Sequence, residues 1–275
     1  MKVVPIVKFA SKAITTLERP DLGSFEFILP GNDASLIWYP WPEGIEKPTR
    51  NPGYYRPISI MGQKLTMPRR TRCYGHAYAF SGQTHPLEDS TPESIVQLYR
   101  ICERMFNYPE GTLNMCLEND YANGRECIGA HADDERQFGR IHDVVCAVVG
   151  PAIRLMVIRD KKRDKMLEIW MPEGIYAMRG RNFQKSFTHE FPQLHPQLFK
   201  TLMERAAVEY STELNSEEKR PRLIWPCQSG QLEQALWLQD NQYEVRQTLL
   251  RTSDEKNKFD EWMQWRTSYT FRNFE

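Results

Sequence analysis

No stretch of this 275-residue chain runs to about 18 uninterrupted apolar residues, so the sequence predicts no membrane-spanning helix. The first apolar patch is broken by Pro5, Lys8 and Lys12 and makes a poor secretory leader. No Cys-x-x-Cys pair occurs among the 6 cysteines (Cys73, Cys102, Cys116, Cys127, Cys146, Cys227), and no dense disulfide framework either. They read as reduced thiols, and the protein is expected to be intracellular, nuclear or cytoplasmic. Net charge is also lacking. Lys plus Arg and Asp plus Glu each number 36, which argues against coating nucleic acid by bulk electrostatics but leaves room for a local basic groove.

What is present is ordinary globular composition, 40% hydrophobic and 26% charged. The length suits one large domain or two small ones, and we read 1–275 as a single domain. Residues 1–55 are poorly periodic and rich in Pro and aromatics, and we read them as an irregular extension wrapped on the core. Thr91-Pro92-Glu93 predicts a helix start, with Thr91 as cap. Ile95, Leu98, Cys102, Met105 and Phe106 would form its buried face. Short apolar runs at 113–117, 144–149, 153–158, 166–171 and 175–178 predict strands, punctuated by Gly150-Pro151 and Pro172-Glu173-Gly174. Such spacing suggests an antiparallel sandwich or barrel. Residues 193–262 return to helical periodicity, and 265–271 alternate again.

Two segments carry chemistry. In His131-Ala132-Asp133-Asp134-Glu135, His131 and Asp133 are two apart, so on an extended segment both point the same way and can hold one metal. A third ligand must come from elsewhere: His189 is the candidate, with His76, His85, His142 and His195 competing. Two histidines and one carboxylate leave three positions open on iron, as in non-haem Fe(II) oxygenases. The second segment is Arg266-Thr267-Ser268-Tyr269-Thr270-Phe271-Arg272. A period of two puts Arg266, Ser268, Thr270 and Arg272 on one face and Trp265, Thr267, Tyr269 and Phe271 on the other. Buried arginines need partners, and this pair, roughly 20 Å apart along the strand, can converge on the two ends of a small dicarboxylate.

On these residues the sequence resembles the AlkB family of Fe(II)- and 2-oxoglutarate-dependent nucleic-acid dealkylating dioxygenases, above all its animal DNA- and RNA-repair members. The matching segments run in the family's order: Met67-Pro68-Arg69-Arg70 with Tyr74-Gly75; Tyr78-Ala79-Phe80-Ser81-Gly82; Asn119 through Gly124; His131 through Glu135; His189 with Pro192; and Arg266 through Arg272.

The resemblance implies an α+β fold, a double-stranded β-helix (jelly-roll) with flanking helices. It implies that His131, Asp133 and His189 bind iron. Arg266 would pair with the distal carboxylate of 2-oxoglutarate, with Asn119, Tyr121, Thr270 and Arg272 completing that pocket. Phe80 and His131 would sandwich a flipped or single-stranded base, with Asp134 and Glu135 near the base edge and Arg69, Tyr74 and Ser81 among the substrate contacts. With O2 as oxidant, the implied reaction is ferryl hydroxylation of a methyl group on a base nitrogen in DNA or RNA, with formaldehyde release. The alternative is the same chemistry on a small molecule or protein side chain.

The family's arginine strand follows its third metal ligand closely, whereas here residues 193–262 intervene and are expected to form a helical insertion. Basic residues (Lys64, Arg69, Arg70, Arg72, Arg159, Lys161, Lys162, Arg163, Lys165) could give a local phosphate-contacting edge. A monomer is expected.

Overall fold

The structure is a computed structural model that describes residues 6–19, 23–31, 33–60, 62–80, 83–134, 137–150, 152, 154–162, 164–193 and 265–275. In chain order the elements are β1 (Ile6–Ala10), β2 (Thr15–Arg19), β3 (Ser24–Ile28), β4 (Ser35–Tyr39), β5 (Tyr54–Ile60), β6 (Gln63–Tyr74), β7 (Tyr78–Phe80), β8 (Gln83–His85) and α1 (Glu93–Phe106). There follow β9 (Met115–Tyr121), β10 (Ile128–His131), β11 (Val144–Val149), β12 (Arg154–Asp160), β13 (Lys165–Met171), β14 (Gly174–Arg179), α2 (Phe183–Ser186), β15 (Phe187–Phe191) and β16 (Arg266–Arg272).

Two sheets dominate: a 9-stranded one in the order β2-β3-β4-β14-β11-β16-β9-β6-β5 and a 5-stranded one in the order β1-β13-β12-β15-β10. From β9 onward the chain passes repeatedly from one sheet to the other, with antiparallel pairing throughout. The described residues are thus mostly β-sheet with few helices, consistent with a jelly-roll core. The helical insertion expected at 193–262 lies outside the described residues, apart from Gln193, so they leave the α+β balance open.

Burial explains the sequence pattern. β11, Val-Val-Cys-Ala-Val-Val, is buried at every position because both of its faces are covered. Val144, Cys146 and Val148 face the core between the sheets, with Trp38, Met156, Ile169 and Tyr176. Val145, Ala147 and Val149 face α1, whose Ile95, Leu98, Ile101, Cys102 and Phe106 form its buried stripe. Met105 is only half-buried. The helix begins one residue later than expected: Pro92 is the N-cap and Thr91 makes no cap. At its other end Asn107, at φ 58°, reverses the chain in the left-handed region that asparagine tolerates.

The expectation of an irregular stretch at 1–55 is corrected. Four strands form there: β1 extends the small sheet beside β13, and β2 to β4 extend the large sheet beside β14. β2, at the sheet margin, is exposed at every position and has no apolar face to reveal, whereas β4 lies inside the sheet with Leu36, Ile37 and Trp38 all buried, so it shows no alternation. Five cysteines, Cys73, Cys102, Cys116, Cys127 and Cys146, are free thiols, as expected. Among the described residues no helix is long and apolar enough to cross a membrane.

Candidate metal centre and dicarboxylate pocket

His131 ends β10, and its Cα pairs with that of His189 in the middle of β15. Side chains at paired positions of neighbouring strands point the same way, so the two imidazoles meet with centroids 4.2 Å apart. Asp133 follows just beyond the strand. The three offer ligand atoms within 4.8 Å of one another, and they form the metal-capable cluster found among the described residues. His131 Nε2 lies 3.9 Å from Asp133 Oδ1, and His189 Nε2 lies 3.6 Å from Asp133 Oδ2. The competing histidines His76, His85 and His142 are not in the cluster; His195 is outside the described residues.

The electrostatics suit a cation. Burial pulls both imidazoles below the ordinary histidine range, His189 to about 3, so both offer lone pairs. His131 Nδ1 sits 2.8 Å from the carbonyl of Gly129, which assigns its proton to that nitrogen and leaves Nε2 toward the cluster. Burial pushes the Asp133 carboxyl up, but the Arg272 guanidinium and the two imidazoles outweigh it and hold the group well below the usual carboxylate range. The Asp133 backbone amide donates to Gln184 Oε1 on α2 at 2.9 Å. Two nitrogens and a carboxylate at one point fit a divalent transition metal with open positions.

The cluster forms part of the wall of a pocket. The inward face of β16, Arg266, Ser268, Thr270 and Arg272, lines it as the alternation predicts, while Tyr269 and Phe271 pack toward α1. Asn119 and Tyr121 of β9 also line it, as does Arg69 of β6, whose Nε–H donates to Asn119 Oδ1 at 2.6 Å. That contact occupies the amide oxygen and leaves the amide nitrogen as a donor. Arg272 Nη2 donates to Asp133 Oδ1 at 2.7 Å.

Other expected substrate residues lie elsewhere. Tyr74 is absent from the pocket: β6 alternates, so Arg69 and Tyr74, five apart, take opposite faces. Tyr74 packs near α1 and its hydroxyl donates to Glu118 Oε2. Asp134 is exposed. Phe80 ends β7, but its side chain lies outside the described part, as do Ser81 and Glu135. The neighbouring Gly75 has a reason to be glycine: φ is +82°, and a Cβ there would lie 2.1 Å from the Asn114 carbonyl oxygen. Four of the nine residues of the expected basic edge are paired with acids. Arg70 pairs with Asp120, Arg72 with Glu88, Arg159 with Glu190 and Lys165 with Glu168.

Sequence reasoning missed Arg154, which lines the same pocket at the start of β12. Its signal was a lone charge inside the apolar run 153–158. Tyr78, Met178 and Phe191 were missed as lining residues too, since apolar and aromatic positions carry no mark separating pocket from core.

This geometry agrees with the sequence comparisons. The DNA oxidative demethylase ALKBH2 of Mus musculus is 32% identical over 108 residues, covering 38% of this chain and 43% of that protein. The protein of that name from Bos taurus is 27% identical over 146 residues, 49% of this chain and 51% of its own length. Over part of its length the chain is similar to AlkB-family oxidative demethylases. It spans about half the length of the curated AlkB relatives it matches. No family model matches it. A solved structure, OsALKBH1, overlays with a TM-score of 0.40 at 16% identity, covering 81% of this chain and 83% of that one.

Proposed function

We propose that the protein is an Fe(II)- and 2-oxoglutarate-dependent dioxygenase that oxidatively demethylates N-alkylated bases in DNA or RNA. The observation that carries this reading is the convergence of His131, Asp133 and His189 with Arg266 on one pocket. The two imidazoles and the carboxylate would hold Fe(II) on one side and leave three positions for cosubstrate and O2. Iron bound there would supply oxygen activation, with 2-oxoglutarate as the reductant. The chain's own residues bind and orient. Arg266 takes the distal carboxylate, Thr270 and Tyr121 shape the pocket, and Asn119, its oxygen fixed by Arg69, donates from its amide nitrogen. Leu117, Ile128, Met178 and Phe191 supply apolar wall. Phe80, Ser81, Asp134 and Glu135 are the residues proposed to meet the extruded base. Free thiols fit an intracellular location.

A second reading, the same chemistry on a small molecule or protein side chain, is favoured by the acid-paired basic residues and a net charge of +0. One assay separates the two. Formaldehyde is measured with 1-methyladenine and 3-methylcytosine oligonucleotides, single- and double-stranded, with Fe(II), 2-oxoglutarate and O2. Formaldehyde in step with succinate is the expected result. Succinate formed without demethylation of any oligonucleotide would overturn the nucleic-acid reading in favour of the second.

A further inference from the structure

Arg154 is 1% exposed, and no carboxylate lies within ion-pair distance of it among the described residues. Its Nη1 donates to the Asn123 carbonyl at 3.0 Å, and Nη2 donates to the carbonyls of Glu126 and Pro192. These bonds fix the guanidinium but leave its charge uncompensated, and Nε–H has no hydrogen-bond partner among the described residues. Arg266, equally buried, spends Nη1 on the Met171 carbonyl and also interacts with the Tyr176 hydroxyl, while its Nη2 has no hydrogen-bond partner among the described residues.

The two guanidiniums converge. Arg154 lies 5.3 Å from the Tyr121 ring, and Arg266 is the cross-strand neighbour of Tyr121. Arg266 sits 5.0 Å from the Phe191 ring, and Arg154 bonds the next residue along. Burial and the nearby Arg266 charge both draw the Arg154 pKa down, to about 10, so Arg154 remains cationic at neutral pH.

A fully buried charge without a counterion is costly, and so is a buried N–H without an acceptor. Here two of each stand at one end of one pocket, opposite the end where Arg272 is already engaged by Asp133. The group that satisfies both is an anion with two acceptor oxygens. We propose that Arg154 is a second carboxylate-binding guanidinium beside Arg266, and that the pair makes this end of the pocket select ligands bearing a distal carboxylate. The inference rests on the cosubstrate reading above and adds a residue to it.

The test is calorimetric binding to the full chain under anaerobic conditions, with Mn(II) in place of Fe(II). The ligands are 2-oxoglutarate and 2-oxopentanoate, which has the same carbon chain without the distal carboxylate. Wild-type chain that fails to bind 2-oxoglutarate would overturn the cosubstrate reading itself. Given wild-type binding, Arg154→Gln is expected to weaken 2-oxoglutarate tenfold or more, to leave 2-oxopentanoate unchanged, and to be largely rescued by Arg154→Lys. Equal weakening of both ligands, no weakening, or a lysine variant no better than glutamine would overturn the inference, since the residue would then act as a backbone staple. Arg266→Gln supplies a check that keeps Arg154 intact. A remaining preference of tenfold or more for 2-oxoglutarate is expected, and loss of all preference would assign the whole effect to Arg266.

Discussion

Arg272 and Asp133 form a buried ion pair at 2.7 Å, with side-chain exposures of 2% and 3%. The last arginine of β16 therefore grips a residue of the metal cluster, while the first, Arg266, stands at the far end of the pocket. Under the proposed function, one strand would have two separable duties, orienting a metal ligand and receiving a carboxylate.

That separation is measurable. Groups that orient a metal ligand commonly contribute 10–100-fold in metal affinity. Arg272→Gln is expected to weaken Mn(II) binding about tenfold or more. Arg266→Gln is expected to leave Mn(II) affinity near wild type and instead to raise the apparent KM for 2-oxoglutarate by a similar factor, through loss of a charge-assisted contact. Equal effects of the two variants on metal affinity would refute the division of roles.

Removing a ligand is a harsher change. His189→Ala leaves one imidazole and one carboxylate, too few donors to hold Fe(II) with the open positions the chemistry needs. Turnover of 2-oxoglutarate is expected to fall to background and Mn(II) binding to be lost. Full activity in this variant would show that another histidine completes the site.

The legibility of this site in the sequence varied for physical reasons. The inward face of β16 could be read because its two faces differ chemically, arginine and hydroxyl against aromatic, and because period two is rigid in a strand. His131 and Asp133 could be paired by spacing alone. Their union with His189 required knowledge that β10 and β15 are neighbours, which no local pattern encodes. Tyr74 was misplaced because it shares a motif with Arg69 but not its parity along β6. Strand β2 escaped notice because a marginal strand needs no apolar face, and β4 because Leu36, Ile37 and Trp38 are all buried and break the alternation. Arg154 announced itself as a charge in an apolar run, yet its partners are three backbone carbonyls from two distant segments, which sequence does not reveal.

Phe80 belongs to the segment whose resemblance implies base stacking. A lost aromatic stack costs on the order of 1–3 kcal/mol in nucleic-acid binding. Phe80→Ala is expected to lower activity on methylated oligonucleotide by about tenfold or more, while decarboxylation of 2-oxoglutarate without substrate persists. Parallel loss of both activities would make Phe80 a packing residue.

The last prediction concerns Glu118, on the face of β9 away from the pocket. It is 2% exposed; Oε2 accepts from the Tyr74 hydroxyl, and Oε1 has no partner among the described residues. Burial raises its pKa from 4.5 to about 7, against the lowering effects of Tyr74 and Arg72 on β6 and with help from Asp120 and Glu88. Cys116 and Tyr269 also face it. A carboxyl whose pKa rises on folding is bound to its proton more tightly in the native state than in the unfolded chain. Below pH 4.5 both states are protonated and the group costs nothing. As pH rises from 4.5 through about 7, the unfolded chain releases this proton while the native state retains it, and stability falls. The shift corresponds to at most about 3 kcal/mol. Glu118→Gln keeps the acceptor for Tyr74 and removes the ionisation, so its melting temperature should exceed that of the wild type at pH 8 and approach it at pH 5. Thermal unfolding at the two pH values decides the matter: a difference of the same size at both would mean that Glu118 does not titrate in this window.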